Sequence, residues 1–183
     1  MAISQKLTAK GNLLSLFFLF CTLLMVGKAQ AQWQPIQQLG LTQTPALQLN
    51  SLSGSAVNLK SYQGKVIIVN FWASWCEPCR EEFVELSYLQ EKFGPKGLKV
   101  IAVNLAEMKP RIVQFLKGNG FSENSLEILL DRNSIAYKTW KARGLPTSFL
   151  INKQGKVESV WIGAIDNADS AEVTGKIEAL LRQ

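Results

Sequence analysis

The chain has 183 residues, of which 47% are hydrophobic and 19% charged, with three Cys and no His. That mix fits one packed domain with a short appendage and excludes a disordered, collagen-like or disulfide-stapled chain. The lack of His removes Ser-His-Asp and Cys-His catalysis and every His-bearing metal site in this polypeptide. The formal charge of +6 owes half its size to Lys6, Lys10 and Lys28, which stand in residues 1–31 without an acid. Beyond them no Lys/Arg run or basic stripe appears, so nucleic acid is a poor candidate partner.

Residues 1–31 read as an export signal or an N-terminal membrane anchor. Lys6 and Lys10 precede the apolar run Leu13–Val26, broken only by Ser15 and Thr22, and Ala29-Gln30-Ala31 offers a signal-peptidase site. The run is shorter than the roughly 20 residues that span a bilayer comfortably. Cys21 lies inside it after Phe20, a poor context for lipidation. Residues 32–45 read as an extended leader and residues 46–183 as one alternating α/β domain.

Within that domain, Leu47–Leu49 and Val57–Leu59 flank a Ser- and Gly-bearing turn and predict an N-terminal hairpin. The apolar run Val66–Trp72 predicts a strand buried on both faces. A helix over Glu81–Phe93 and a strand over Leu98–Asn104 complete a right-handed parallel crossover. A central segment, Glu107–Asn124, follows with a helix at Pro110–Gly118. Then come a short strand at Ile128–Leu130, a helix at Ser134–Arg143, an antiparallel pair at Thr147–Ile151 and Val157–Ile162, and an amphipathic helix at Ala171–Leu181.

Outside the export segment the cysteines are Cys76 and Cys79. As a staple their four-residue ring is weak: chain entropy gives such a loop about 2 kcal/mol against about 3 for a fifteen-residue one. Zinc wants about four Cys or His ligands, and two are present. What remains for Cys-x-x-Cys is reversible redox chemistry, with the second thiol always in reach of the first. Cys76 falls at the entrance of a helix, where unpaired N–H groups favour a thiolate. Glu77 works against that charge, so the expected thiol pKa is only modestly lowered and the pair is reducing. Pro78 fits the first helical turn, where its missing N–H costs nothing. Nothing in the sequence calls for a metal or organic cofactor; the working group is the Cys76–Cys79 pair.

The run Phe71-Trp72-Ala73-Ser74-Trp75-Cys76-Glu77-Pro78-Cys79 resembles the active-site segment of thioredoxin-like proteins. With Gly144-Leu145-Pro146-Thr147-Ser148-Phe149-Leu150-Ile151 it is similar to the exported TlpA/ResA-like thiol-disulfide reductases, over Ala46 to Leu181. The resemblance implies a thioredoxin fold with an N-terminal β-hairpin and Glu107–Asn124 as a central insertion, with Cys76 as the exposed attacking thiol and Cys79 as the shielded resolving thiol. It implies a cis Pro146 facing the disulfide, with the backbone of Leu145 pairing an extended substrate segment. It also implies disulfide-bearing targets, among them apocytochrome c or its chaperones, and a membrane dithiol electron donor.

Where thioredoxins carry a buried Asp, this strand has Asn70. Helical spacing puts Cys79, Glu82, Phe83, Leu86, Leu89 and Phe93 on one arc, making Glu82 an acid on the core-facing stripe. Desolvation there raises a carboxyl pKa and suits proton exchange with Cys79. The resemblance adds Glu107 as a second acid near the site; for both, a solvated surface position is the plainer alternative. Trp72 is expected in the core, Trp75 at the surface beside the chemistry, and Trp161 in ordinary packing. Two other readings stay open on the same fold: an oxidase or isomerase, and a binding module using the Leu145–Pro146 edge without turnover. A peroxide-reducing role is weaker, since no third cysteine stands outside the export segment.

Overall fold

A computed structural model describes residues 32–168 and 170–183; residues 1–31, read from sequence as an export signal or anchor, lie outside the described residues together with Cys21. The strands are β1 (Gln34–Pro35), β2 (Gln48–Ser51), β3 (Ala56–Asn58), β4 (Val66–Trp72), β5 (Leu98–Leu105), β6 (Glu127–Asp131), β7 (Thr147–Ile151) and β8 (Val157–Ile162). The helices are α1 (Glu77–Phe93), α2 (Lys109–Gly118), α3 (Ile135–Thr139) and α4 (Ala171–Leu181). All eight strands join one sheet in the order β1-β8-β7-β4-β5-β6-β2-β3. β4, β5 and β6 run parallel, while β7, β8 and the β2–β3 hairpin are antiparallel additions.

The central strand is buried at every position, as its continuous apolar run demands. Side chains alternate across it. Val66, Ile68 and Trp72 face a core shared with α1, α2 and α4, whereas Ile67, Val69 and Phe71 face one shared with α3 and the leader. This alternation puts Asn70 on the α1 face, a polar residue with an apolar surround.

Three differences from the sequence reading have local causes. The leader is not merely extended: β1 pairs with β8, a 3-10 turn follows at Ile36–Leu39, and Ile36, Leu39 and Leu41 are buried against the sheet. Helix α1 starts at Glu77, one turn before Glu81, because Pro78 occupies a first-turn position that needs no N–H donor. Helix α3 is five residues long and does not reach Arg143. Lys141 turns left-handed at φ 54°, and its Nζ donates to the carbonyl of Gly40 at 2.8 Å. Among the described residues no helix is long and apolar enough to cross a membrane.

Candidate active site

The parallel strand β4 ends at Trp72, and Ala73–Trp75 turn the chain into α1. Cys76 is the N-cap of that helix, with extended backbone (φ −89°, ψ 106°), and its carbonyl accepts from the N–H groups of Cys79 and Arg80. One helical turn brings Cys79 beneath it, and the two form a disulfide with Sγ–Sγ 2.02 Å and Cα–Cα 5.3 Å. Cys76 is 6% exposed and Cys79 1%. Cys76 is therefore the more accessible sulfur, yet far less open than the resemblance implied, because both sulfurs sit in the core cluster with Trp72 and Phe83. Trp75 projects beside them and is 62% exposed, while Trp72 is fully buried.

The β4–β7 register pairs Phe71 with Thr147, which sets the Leu145-Pro146 bond across from the end of β4, the strand that leads into the disulfide turn. That peptide bond is cis. Leu145 packs partly buried against both cores.

Glu82 lies on the predicted arc and is 1% exposed. Its Oε2 accepts from Asn70 Nδ2 at 2.8 Å, and its Oε1 from the backbone N–H of Ile165 at 3.0 Å. Asn70 Nδ2 also donates to Ser148 Oγ at 2.9 Å, so β4 and the segment before α4 meet at one carboxyl and β7 is joined to them through Asn70. Burial pushes the Glu82 pKa up from 4.5 to about 8, against the lowering effect of the Ile165 and Asn70 hydrogen bonds. The buried carboxyl therefore keeps its proton to higher pH than an exposed one does.

Glu107 is buried too, in a different setting. Ala106 takes a left-handed backbone (φ 58°), and the carboxylate behind it binds the turn that carries the cysteines. Its Oε2 accepts from the Ser74 N–H at 2.7 Å and from Asn104 Nδ2 at 2.8 Å, and its Oε1 from Ser74 Oγ at 2.5 Å. With three donors committed to it, Glu107 braces the Ser74–Cys76 turn. Replacing it by Ala strands those donors in a buried site. Since hydrogen bonds to charged groups contribute about 1.5–3 kcal/mol each, the variant is expected to lose about 3 kcal/mol of stability in urea denaturation of the oxidised protein.

The residues named from sequence thus converge on one end of the sheet. Ser74, Asn104, Ser148 and the Ile165 N–H escaped notice, being single polar groups whose importance appears only when strands are in register. The faint signal was Asn70 inside an apolar strand, which had to find partners on a neighbour.

A disulfide at a helix entrance, at the end of a buried parallel strand and beside a proline loop, on a sheet of this order, defines a thiol-disulfide oxidoreductase of the thioredoxin fold. The chain belongs to the AhpC/TSA family, whose model matches residues 41–160. It is 33% identical over 121 residues to the thiol-disulfide oxidoreductase ResA of Bacillus subtilis, covering 66% of each chain. It is 32% identical over 125 residues to ResA of Geobacillus thermodenitrificans, covering 68% of this chain and 70% of that one. The chain therefore spans about two thirds of the length of these relatives. Among solved structures, a Chlorobium tepidum protein assigned as a thiol:disulfide interchange protein DsbE aligns with TM-score 0.68 and 32% identity, over 76% of this chain and 95% of that one. Proteins of this class act on disulfide-bearing substrates through the paired cysteines, here Cys76 and Cys79.

Proposed function

We propose that the protein reduces disulfides in target proteins outside the cytoplasm. The observation that carries this reading is the setting of Cys76: no hydrogen bond from the helix entrance reaches its sulfur, and Glu77 stands next to it in the first turn. Strong oxidants depend on a heavily stabilised reduced thiolate; here the helix dipole, up to about 2 kcal/mol in a partly buried geometry, is opposed by Glu77, and the Arg80 guanidinium is paired with that same Glu77.

The reaction runs in two exchanges. The Cys76 thiolate attacks a target disulfide; the Cys76–target bond forms as the target bond breaks, and one target sulfur leaves as thiolate. Glu82, as carboxylate, takes the proton of the Cys79 thiol. The Cys79 thiolate then attacks Cys76 Sγ, closing the ring and releasing the second target sulfur. A dithiol donor reverses the cycle, with the Glu82 proton returning to the Cys79 sulfur. Trp75 supplies an apolar docking surface and the Leu145–Pro146 edge a backbone one. Glu107 acts through the turn it holds.

The target class implied by the sequence resemblance is the haem-attachment cysteine pair of apocytochrome c or a chaperone of it, with a membrane dithiol transporter as donor. Export is supported by the Lys-flanked apolar run and the Ala29-Gln30-Ala31 site. Equilibration with glutathione and dithiothreitol, followed by thiol alkylation, tests the direction. The expected potential lies well below about −150 mV, with insulin reduced in the presence of dithiothreitol; a potential near the oxidant end, about −120 mV, would overturn the reductase reading.

A further inference from the structure

Beside the disulfide turn a cleft of about 230 Å³ is lined by Ser74, Arg80, Arg111, Gln114, Phe115 and Asn119. It adjoins the chemistry: Ser74 lies two residues before Cys76, and the backbone N–H of Arg80 bonds the Cys76 carbonyl at 3.2 Å. Two guanidiniums from different helices border this one cleft. Arg80 meets Glu77 at 2.9 Å in an exposed pair, the kind that contributes at most about 1 kcal/mol and exchanges readily. Arg111 reaches Glu107 only at 3.7 Å, beyond hydrogen-bond range, because Ser74 and Asn104 already hold that carboxylate. Each guanidinium carries five N–H donors in a fork that matches a carboxylate, so both retain donors for a newcomer. Phe115 adds an apolar surface for a side-chain stem, and α2 carries Lys109 and Lys117 besides Arg111, with no acid of its own.

We propose that this cleft seats an Asp or Glu side chain of the target polypeptide, close in sequence to the cysteine that Cys76 attacks, and so selects acidic targets. The proposal rests on the reading of Cys76 as the attacking thiol for its position, but its binding step needs no turnover. A carboxylate received by two forks gains charge-assisted, bidentate bonds whose geometry fixes how far the rest of the segment stands from the sulfur.

The test is binding of short fluorescent peptides with Ser in place of Cys and either Glu or Lys beside it, read by anisotropy with the purified full chain at low ionic strength. The Glu peptide is expected to bind about tenfold more tightly, a difference of about 1.4 kcal/mol. The preference should vanish in the Arg80→Gln/Arg111→Gln variant and invert in Arg80→Glu/Arg111→Glu. Equal binding of the two peptides, no binding of either, or a preference that survives both variants would overturn the proposal. So would displacement of the Glu peptide by millimolar inorganic phosphate at constant ionic strength, which would make the cleft a phosphate site instead. Failure to reduce insulin would count against the reductase reading and leave this result standing.

Discussion

A Cys79→Ser variant is expected to accumulate as a covalent adduct with its target, while insulin turnover falls to the uncatalysed level. The reason lies in the ring. Cys76 and Cys79 have Cα atoms 5.3 Å apart on one helical turn, and well-oriented groups of this kind reach effective concentrations on the order of 10⁵ M or more. No external thiol at millimolar concentration competes with such a neighbour. Removing it therefore leaves the first exchange intact and blocks the second. Cys76→Ser should form no adduct, because the remaining cysteine, Cys79, is 1% exposed and lies beneath the helix entrance. Non-reducing gels followed by mass spectrometry read both outcomes. Adducts of equal yield from the two variants would mean that Cys79 is also open to attack, and the assigned order of exchanges would fail.

Much of this site was legible because its determinants are local. The Cys-x-x-Cys spacing, the apolar run before it and the helical arc after it each occupy one continuous stretch. The structure places Cys79, Glu82, Phe83, Leu86, Leu89 and Phe93 all among the buried residues of α1. What stayed hidden depends on contacts between distant segments. Ile165 and Glu82 meet through a backbone N–H, and no side-chain pattern announces that bond. The leader buries Ile36, Leu39 and Leu41 without helical or strand periodicity, since a 3-10 turn separates them. Glu107 shows the same limit: sequence places an acid after β5, but the bonds that tie it to Ser74 in the cysteine turn span 33 residues. Arg80 and Arg111 look like ordinary solvated cations until α1 and α2 bring them to one cleft.

Glu82 should make the protein lose stability as pH rises from about 4.5 to about 8. Below 4.5 the carboxyl is protonated in both the folded and the unfolded chain. Between those values the unfolded chain gives up the proton while the folded one, with a pKa of about 8, keeps it. The folded state then binds more protons than the unfolded state, so stability falls with pH through this window and is level above it. The loss is on the order of 5 kcal/mol in total. Glu82→Gln removes the group that titrates without breaking its surround. The amide oxygen still accepts from the Ile165 N–H, and a flipped Asn70 offers its own oxygen to the new NH₂ and to the Ser148 hydroxyl. The variant is therefore expected to be flat in urea denaturation between pH 5 and 8 where the native protein declines, and the more stable of the two at pH 8. Catalysis should move the other way. Without a group to receive the Cys79 proton, disulfide exchange is expected to slow by about 10²-fold and its rise between pH 6 and 8 to flatten. Alkylation of Cys76 by iodoacetamide separates the two titrations, because the Cys76 thiolate should form with the same pH dependence in both proteins. A Glu82→Gln enzyme with the native rate profile would take Glu82 out of the proton path, and an unchanged stability profile would show that its carboxyl is already ionised in the folded protein.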